Sequence, residues 1–249
     1  MGEELLTIRG LRAGVDDKEI LHGVTLSVAK GETHVLLGPN GSGKTTLMQV
    51  IMGHPRYAVN EGTVRFEGAD LLALPTHERA RRGLFLSFQT PEEIPGVTVE
   101  NMLRTARQAI TGKKAGVLAF RKELAAALAT LQMDADWAGR YLNVGFSGGE
   151  KKRTEILQLL MLKPKLALLD ETDSGLDVDA VHLVSGGVRA FRTPENACLI
   201  ITHNAGILSS LSVDRVHVLL HGHIVQSGGP ELVEEVGAHG YARFLEAEG

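Results

Sequence analysis

Short apolar runs broken by polar, glycine-bearing segments open the chain: residues 5–9, 24–28 and 34–37 read as strands, with turns expected around Gly14, Gly23 and Gly31. The period then changes. Residues 38–46 form a glycine-rich loop that opens into a helical pattern over 45–52, and strand patterns follow at 63–66 and 84–88. From 98 to 133 the pattern predicts helix throughout, rich in alanine and leucine, so this block reads as an all-helical insertion. Helix and strand then alternate: helix at 148–162, strand at 166–169, helix at 178–191, strand at 198–201. Near-continuous apolar strands flanked by helices predict an α/β fold with a parallel sheet covered on both faces. Two short strands, 216–220 and 224–226, and helical segments at 230–236 and 241–247 complete the pattern.

A chain of 249 residues, 43% of them apolar, can bury a substantial core, which rules out wholesale disorder. Its formal net charge of -4 offers no basic field for a phosphodiester backbone, so no nucleic acid is expected as a partner. The single cysteine, Cys198, lies in an apolar run without an internal disulfide partner, and a reducing, cytoplasmic setting is expected. No apolar stretch approaches bilayer-spanning length and the first residues are too acidic for a signal peptide, so direct membrane insertion is not expected.

The strongest local signal is Gly38-Pro39-Asn40-Gly41-Ser42-Gly43-Lys44-Thr45, continued by Thr46, which matches the phosphate-binding loop and lies between a strand pattern and a helix pattern. Glycines let successive backbone N–H groups point into one concavity, the helix N-terminus adds positive dipole, Lys44 reaches the outer phosphates and Thr45 offers a hydroxyl to Mg2+. A second signal is the apolar run 166–169 ending in Asp170 and Glu171. Acids at the C-terminal edge of a parallel sheet lie beside a phosphate loop carried on a neighbouring strand. Asp170 is expected to hold the metal, and Glu171 to orient or deprotonate an attacking water.

A third signal is Phe146-Ser147-Gly148-Gly149-Glu150 ahead of a long helix. A capping box accounts for Ser147 and Glu150, but not for the paired glycines or for Lys151, Lys152 and Arg153, which the helix dipole disfavours there. This segment resembles the signature motif of the ATP-binding-cassette (ABC) ATPases. The resemblance implies an ABC ATPase fold: a P-loop core with a mixed or parallel sheet, an antiparallel β subdomain and a helical subdomain. It also implies ATP and Mg2+ as ligands, and two copies meeting head to tail. Ser147 and the N–H groups of Gly148 and Gly149 would then bind the terminal phosphate of an ATP held by the other copy. Gln89 resembles the glutamine that senses the metal and couples to partners, and the run from Ser174 to Asp177 resembles the loop that crosses the dimer interface. His203 resembles the switch histidine at the terminal phosphate. The resemblance covers essentially the whole chain as one domain, 1–249, with the catalytic core and β subdomain at 1–90 and 146–249 and the helical subdomain at 91–145.

Finer wording, FSGGEKKRTEILQ at 146–158, LDETDSGLDVD at 169–179 and QTPEEIPGV at 89–97, resembles the branch of the family that drives SUF iron–sulfur cluster assembly. Transporter ATPases more often carry proline then threonine after the catalytic glutamate, where this chain has Thr172 and Asp173. That branch implies scaffold partners of the SufB and SufD type, contacting the Gln89 region and the helical block. The alternative is the ATPase subunit of an ABC transporter; a clamp that binds ATP without hydrolysing it is disfavoured by the presence of Glu171 and His203. Two departures stand out: Val15 replaces the aromatic that stacks on adenine in many relatives, and Thr90 replaces a larger partner-facing residue. His221-Gly222-His223 reads as a hairpin turn rather than a metal site, and Phe120, Met133 and Trp137 read as packing within the helical block.

Overall fold

The computed structural model describes residues 2–114, 116–202, 208 and 210–245. Strands β1 (Glu4–Val15) and β2 (Lys18–Ala29) form a long antiparallel hairpin. The turns expected at Gly14 and Gly23 are instead positions inside these strands; the chain reverses at Asp16 and Asp17. Register shifts, for instance between Ile8 and Leu11, move the apolar set from one face to the other, which hid the continuity of each strand from a period-2 reading. Strand β3 (Thr33–Leu37) leaves this sheet, whereas β4 (Tyr57–Phe66) returns to pair with β1 and β5 (Ala69–Asp70) completes the order β2-β1-β4-β5. Only Val64 and Phe66 of β4 are buried, so its solvated first half carried no strand signal.

The second sheet combines β3 with β6 (Leu84–Leu86), β7 (Leu166–Asp170), β8 (Ala197–Ile201), β9 (Arg215–Leu220) and β10 (His223–Gly228) in the order β10-β9-β3-β8-β7-β6. All neighbours are parallel except β10, which folds back antiparallel on β9. Both faces are buried. Val35 and Leu37 of β3 enter one core, whereas Leu36 enters the other. The first core contains α5 (Gly148–Leu162) and α6 (Val178–Phe191); the second contains α1 (Lys44–Met52) and the antiparallel sheet. A short helix α2 (Thr76–Arg81), absent from the sequence reading, buries Arg79, whose guanidinium donates to the carbonyls of Val50 and Ile51 at the C-terminal end of α1 (2.8 and 2.9 Å).

The helical stretch expected from 98 to 133 is two helices, α3 (Val99–Thr111) and α4 (Val117–Thr130), followed by a 3-10 turn (Ala135–Gly139). Gly112, at φ 67°, ends α3 in the left-handed conformation that glycine adopts most readily, and propensity alone did not register that stop. Phe120, Met133 and Trp137 are buried in the core shared with α5. Trp137 donates to the Thr154 hydroxyl at 3.1 Å, which fastens the block to that helix. Two helices, Glu231–His239 and Ala242–Leu245, follow β10. No described helix is long and apolar enough to cross a membrane. The parallel strands all deliver their C-terminal ends to one edge, where the chain exits β3 into Gly38, β7 into Glu171 and β8 into Thr202.

Candidate active site

At the exit of β3 the backbone passes so close to β9 that a Cβ on Gly38 would lie 2.2 Å from the Leu219 carbonyl oxygen, which excludes any side chain. Gly43 then enters α1 at φ 106°, a left-handed N-terminal residue without a side-chain cap, and leaves the first N–H groups of the helix for another acceptor. Lys44 is the first residue of α1 and is buried. Its ammonium donates to the carbonyls of Gly38 (2.7 Å) and Pro39 (3.0 Å), so it lies across the loop. Burial lowers its pKa, and the charges of Glu171 and Asp170 oppose that shift. Ser42 Oγ is buried with no hydrogen-bond partner among the described residues.

Asp170 ends β7 at 2% exposure. Burial pushes its carboxyl above the ordinary range, and the Thr45 hydroxyl, bonded to it, opposes that shift. Its Oδ1 has no hydrogen-bond partner among the described residues, while its N–H donates to the Ser87 hydroxyl at 2.8 Å. Two hard oxygen donors on adjacent elements, with one carboxylate oxygen unsatisfied, suit a small divalent cation such as Mg2+. Glu171 follows at φ 47°, and the Gln89 amide donates to its carboxylate at 3.4 Å.

A cavity of about 640 Å³ joins Asn40, Gly41, Gly43, Lys44, Thr45, Thr46, Gln89 and Glu171. Its remaining wall is Lys18, Glu19, Ile20, His22 and His221, none of which the sequence reading placed at a site. Lys18, Glu19, Ile20 and His22 lie together at the start of β2, where the register against β1 shifts between Glu19 and Leu21, so this wall does not follow the two-residue strand period. Val15 does not line the cavity; it pairs with Lys18 and Tyr57 at the tip of the antiparallel sheet. His221 and Gly222 make the β9–β10 turn, and His223 stacks on His22 with ring centroids 5.3 Å apart.

Ser147, Gly148, Gly149 and Asp177 do not line this cavity. Ser147 caps α5 in a reciprocal box with Glu150: the Glu150 N–H donates to Ser147 Oγ (3.3 Å) and the Ser147 N–H donates to Glu150 Oε2 (2.6 Å). Asp177 caps α6 by accepting from the Ala180 N–H at 2.8 Å. Two of the three basic residues that capping left unexplained, Lys151 and Lys152, have partners of their own. Lys151 reaches Glu93 (3.1 Å), and the buried Lys152 donates to the Phe88 carbonyl (3.1 Å) and pairs with the buried Glu155 (3.6 Å). Burial pushes the Glu155 carboxyl up to about 7, with Lys152 opposing. His203 lies outside the described residues; the preceding Thr202 donates its hydroxyl to Asp173 at 2.7 Å.

Residues 21–174 match the family model described as ABC transporter. The chain belongs to the ABC transporter family. This ABC-type ATPase is 47% identical over 97% of its length to "Vegetative protein 296" of Bacillus subtilis, covering 93% of that protein. It is 44% identical over 98% of its length to the Escherichia coli protein described as "Probable ATP-dependent transporter SufC", covering all of that protein. Among solved structures, the ADP conformation of an ATP-binding cassette of an ABC transporter superposes with a TM-score of 0.77 at 27% identity, covering 95% of each chain. The fold is therefore that of an ABC ATPase, the nucleotide is ATP and the reaction is its hydrolysis.

Proposed function

We propose that this ABC ATPase is the SufC-type motor of a cytoplasmic iron–sulfur cluster assembly machine, working as an ATP-dependent head-to-tail dimer on scaffold proteins of the SufB and SufD type. The observation that carries the dimer is the division of the site. Most of the phosphate loop, Glu171 and Gln89 border one cavity, with Asp170 buried immediately before Glu171, while Ser147, Gly148, Gly149 and Asp177 stand on helix N-termini elsewhere on the chain. One copy thus carries two half-sites, and a second copy turned head to tail brings Ser147 and its neighbours to the nucleotide. The wording at 146–158 and 169–179, together with the full-length kinship to the E. coli SufC protein, supports the assembly role.

In this reading the N–H groups from Gly41 to Thr46 and the Lys44 ammonium bind the phosphates. Asp170 and Thr45, with Gln89, hold Mg2+, which when bound neutralises phosphate charge. Glu171 orients the attacking water and accepts its proton as the bond to the terminal phosphorus forms and the bond to the departing ADP oxygen breaks. Ser147 from the second copy and His203 stabilise the transferred charge. Loss of the terminal phosphate removes the contact that favours the closed dimer, and the pair reopens.

The test is an affinity pull-down of the tagged chain from its native extract with iron and acid-labile sulfide assayed on the eluate. Two mutually related soluble partners carrying iron or sulfide support the reading. Integral membrane proteins in their place would assign the chain to a transporter. The isolated chain should hydrolyse ATP slowly and speed up when those partners are added; full activity alone contradicts the half-site argument.

A further inference from the structure

The polar pair Lys152–Glu155 lies one turn apart on α5, its side chains 8% and 2% exposed, well away from solvent. A buried ion pair seldom stabilises a fold relative to apolar residues of the same shape, so its presence calls for another account. Both members grip one peptide segment. Glu155 Oε1 accepts from the Phe88 N–H at 2.5 Å, and the Lys152 ammonium donates to the Phe88 carbonyl at 3.1 Å and to the Gln89 carbonyl at 3.5 Å. That segment has little else to hold it. Strand β6 ends at Leu86, Ser87 makes the last ladder contact with Leu168 (2.9 Å), and the Phe88 side chain is 58% exposed, so apolar packing does not fix it. From this backbone the Gln89 side chain reaches Glu171.

We propose that Lys152 and Glu155 are positioning residues: they clamp the peptide at Phe88 and thereby aim Gln89 at Glu171. The helix that carries Ser147 at its N-terminus thus also sets Gln89, so the two half-sites of one chain are joined by one rigid element. The role of Gln89 rests on the function proposed above.

The test uses the full chain carrying Lys152→Met with Glu155→Met, an apolar pair of similar length that leaves no lone buried charge and no side-chain acceptor for the Phe88 N–H. Binding of a fluorescent ATP analogue should stay within about twofold, while turnover per bound nucleotide falls roughly 10- to 100-fold through misplacement of Gln89. Adding Gln89→Ala to this variant should cost little more, because the clamp and Gln89 act in series. Wild-type turnover in the clamp variant, or losses that multiply when Gln89→Ala is added, overturns the proposal. Gln89→Ala alone separates the two levels: no effect there overturns the role of Gln89 and the clamp with it, whereas slow turnover there beside a fast clamp variant overturns the clamp alone. Should the double variant not fold, amide hydrogen exchange on the wild-type chain decides. Phe88 must exchange at least tenfold more slowly than Thr90, and equal rates refute the clamp.

Discussion

Acid should weaken this fold through two buried histidines, His217 and its neighbour His34. His217 on β9 is 2% exposed; its Nδ1 lies 2.7 Å from Ser227 Oγ and its Nε2 lies 3.0 Å from His34 Nδ1. His34 Nε2 in turn lies 2.9 Å from Glu32. One assignment satisfies every partner with both rings neutral: Ser227 donates to His217, His217 to His34, and His34 to the Glu32 carboxylate. Burial, with the neighbouring His34 and Arg215, holds the His217 pKa down to about 4 from 6.5. The folded value lies below the unfolded one, so the neutral ring's contribution is complete above pH 6.5 and is lost as pH falls from there toward 4. Between pH 7 and pH 5 the loss is about 2 kcal/mol.

Glu155 acts in the opposite sense. Its folded value of about 7 exceeds its unfolded value of 4.5, so its contribution grows as pH falls through that window. A bare pH–stability curve therefore mixes these with His34, whose pKa burial also lowers, and the difference between wild type and His217→Gln isolates what His217 contributes, its coupling to His34 included. With a urea slope of roughly 2–3 kcal/mol/M, the wild-type midpoint should drop between pH 7 and pH 5 by about 0.7–1 M more than that of the variant. Midpoints that move in parallel, within about 0.2 M, would show that the ring does not carry a strongly lowered pKa in the folded chain.

Three further outcomes follow from the site and core. Glu171→Gln should retain ATP and accumulate the closed dimer while steady-state hydrolysis falls roughly 100- to 10,000-fold; undiminished turnover removes Glu171 from its role. Because Val15 stands away from the cavity and its β2 rim offers Ile20 and His22 rather than a large aromatic, GTP should bind within about tenfold of ATP, about 1.4 kcal/mol, by competition titration. A many-fold preference for ATP contradicts that. Burial raises the Cys198 thiol to about 12, so a thiol reagent at pH 8 should leave the native chain unmodified and label one thiol per chain after unfolding; rapid native labelling refutes it.

What could be read from the chain alone was whatever one segment encodes by itself. The phosphate loop is contiguous, Asp170 and Glu171 end a plainly buried run, and the Ser147 box marks the first turn of α5, which begins at Gly148 as expected. What escaped was set by distant partners. Glu155 reads as an ordinary charge on a helix surface until a peptide 67 residues away supplies its donor, and His34 and His217 are 183 residues apart. The cavity wall on β2 was hidden for a local reason, because a register shift interrupts the alternation among Lys18, Glu19, Ile20 and His22. The β8 neighbour expected to complete the site, His203, lies outside the described residues, so that expectation remains part of the proposed function.

The adjacency of Asp170 and Glu171 poses a geometric problem that the fold resolves. Successive residues of a strand point to opposite faces, so two consecutive carboxylates at a strand end would ordinarily serve different sites. Here the first stays in the ladder, its N–H on the Ser87 hydroxyl, and the second turns to φ 47° with its N–H donating to the Ile201 carbonyl at 3.0 Å. The left-handed residue breaks the alternation, and both charges then bear on Lys44. Six other described non-glycine residues share positive φ, and those at Asp16, Glu67, Lys163 and His221 stand at hairpin turns or a helix end, where such backbone is common. Glu171 stands at the mouth of a buried strand, where glycine would adopt the same backbone with less strain. A conformation that costs roughly 1–3 kcal/mol persists only where the surroundings over-determine it. The strain is therefore tied to the carboxylate: it puts a second acid on the same side as the first, beside the phosphate loop, which a regular strand end cannot do.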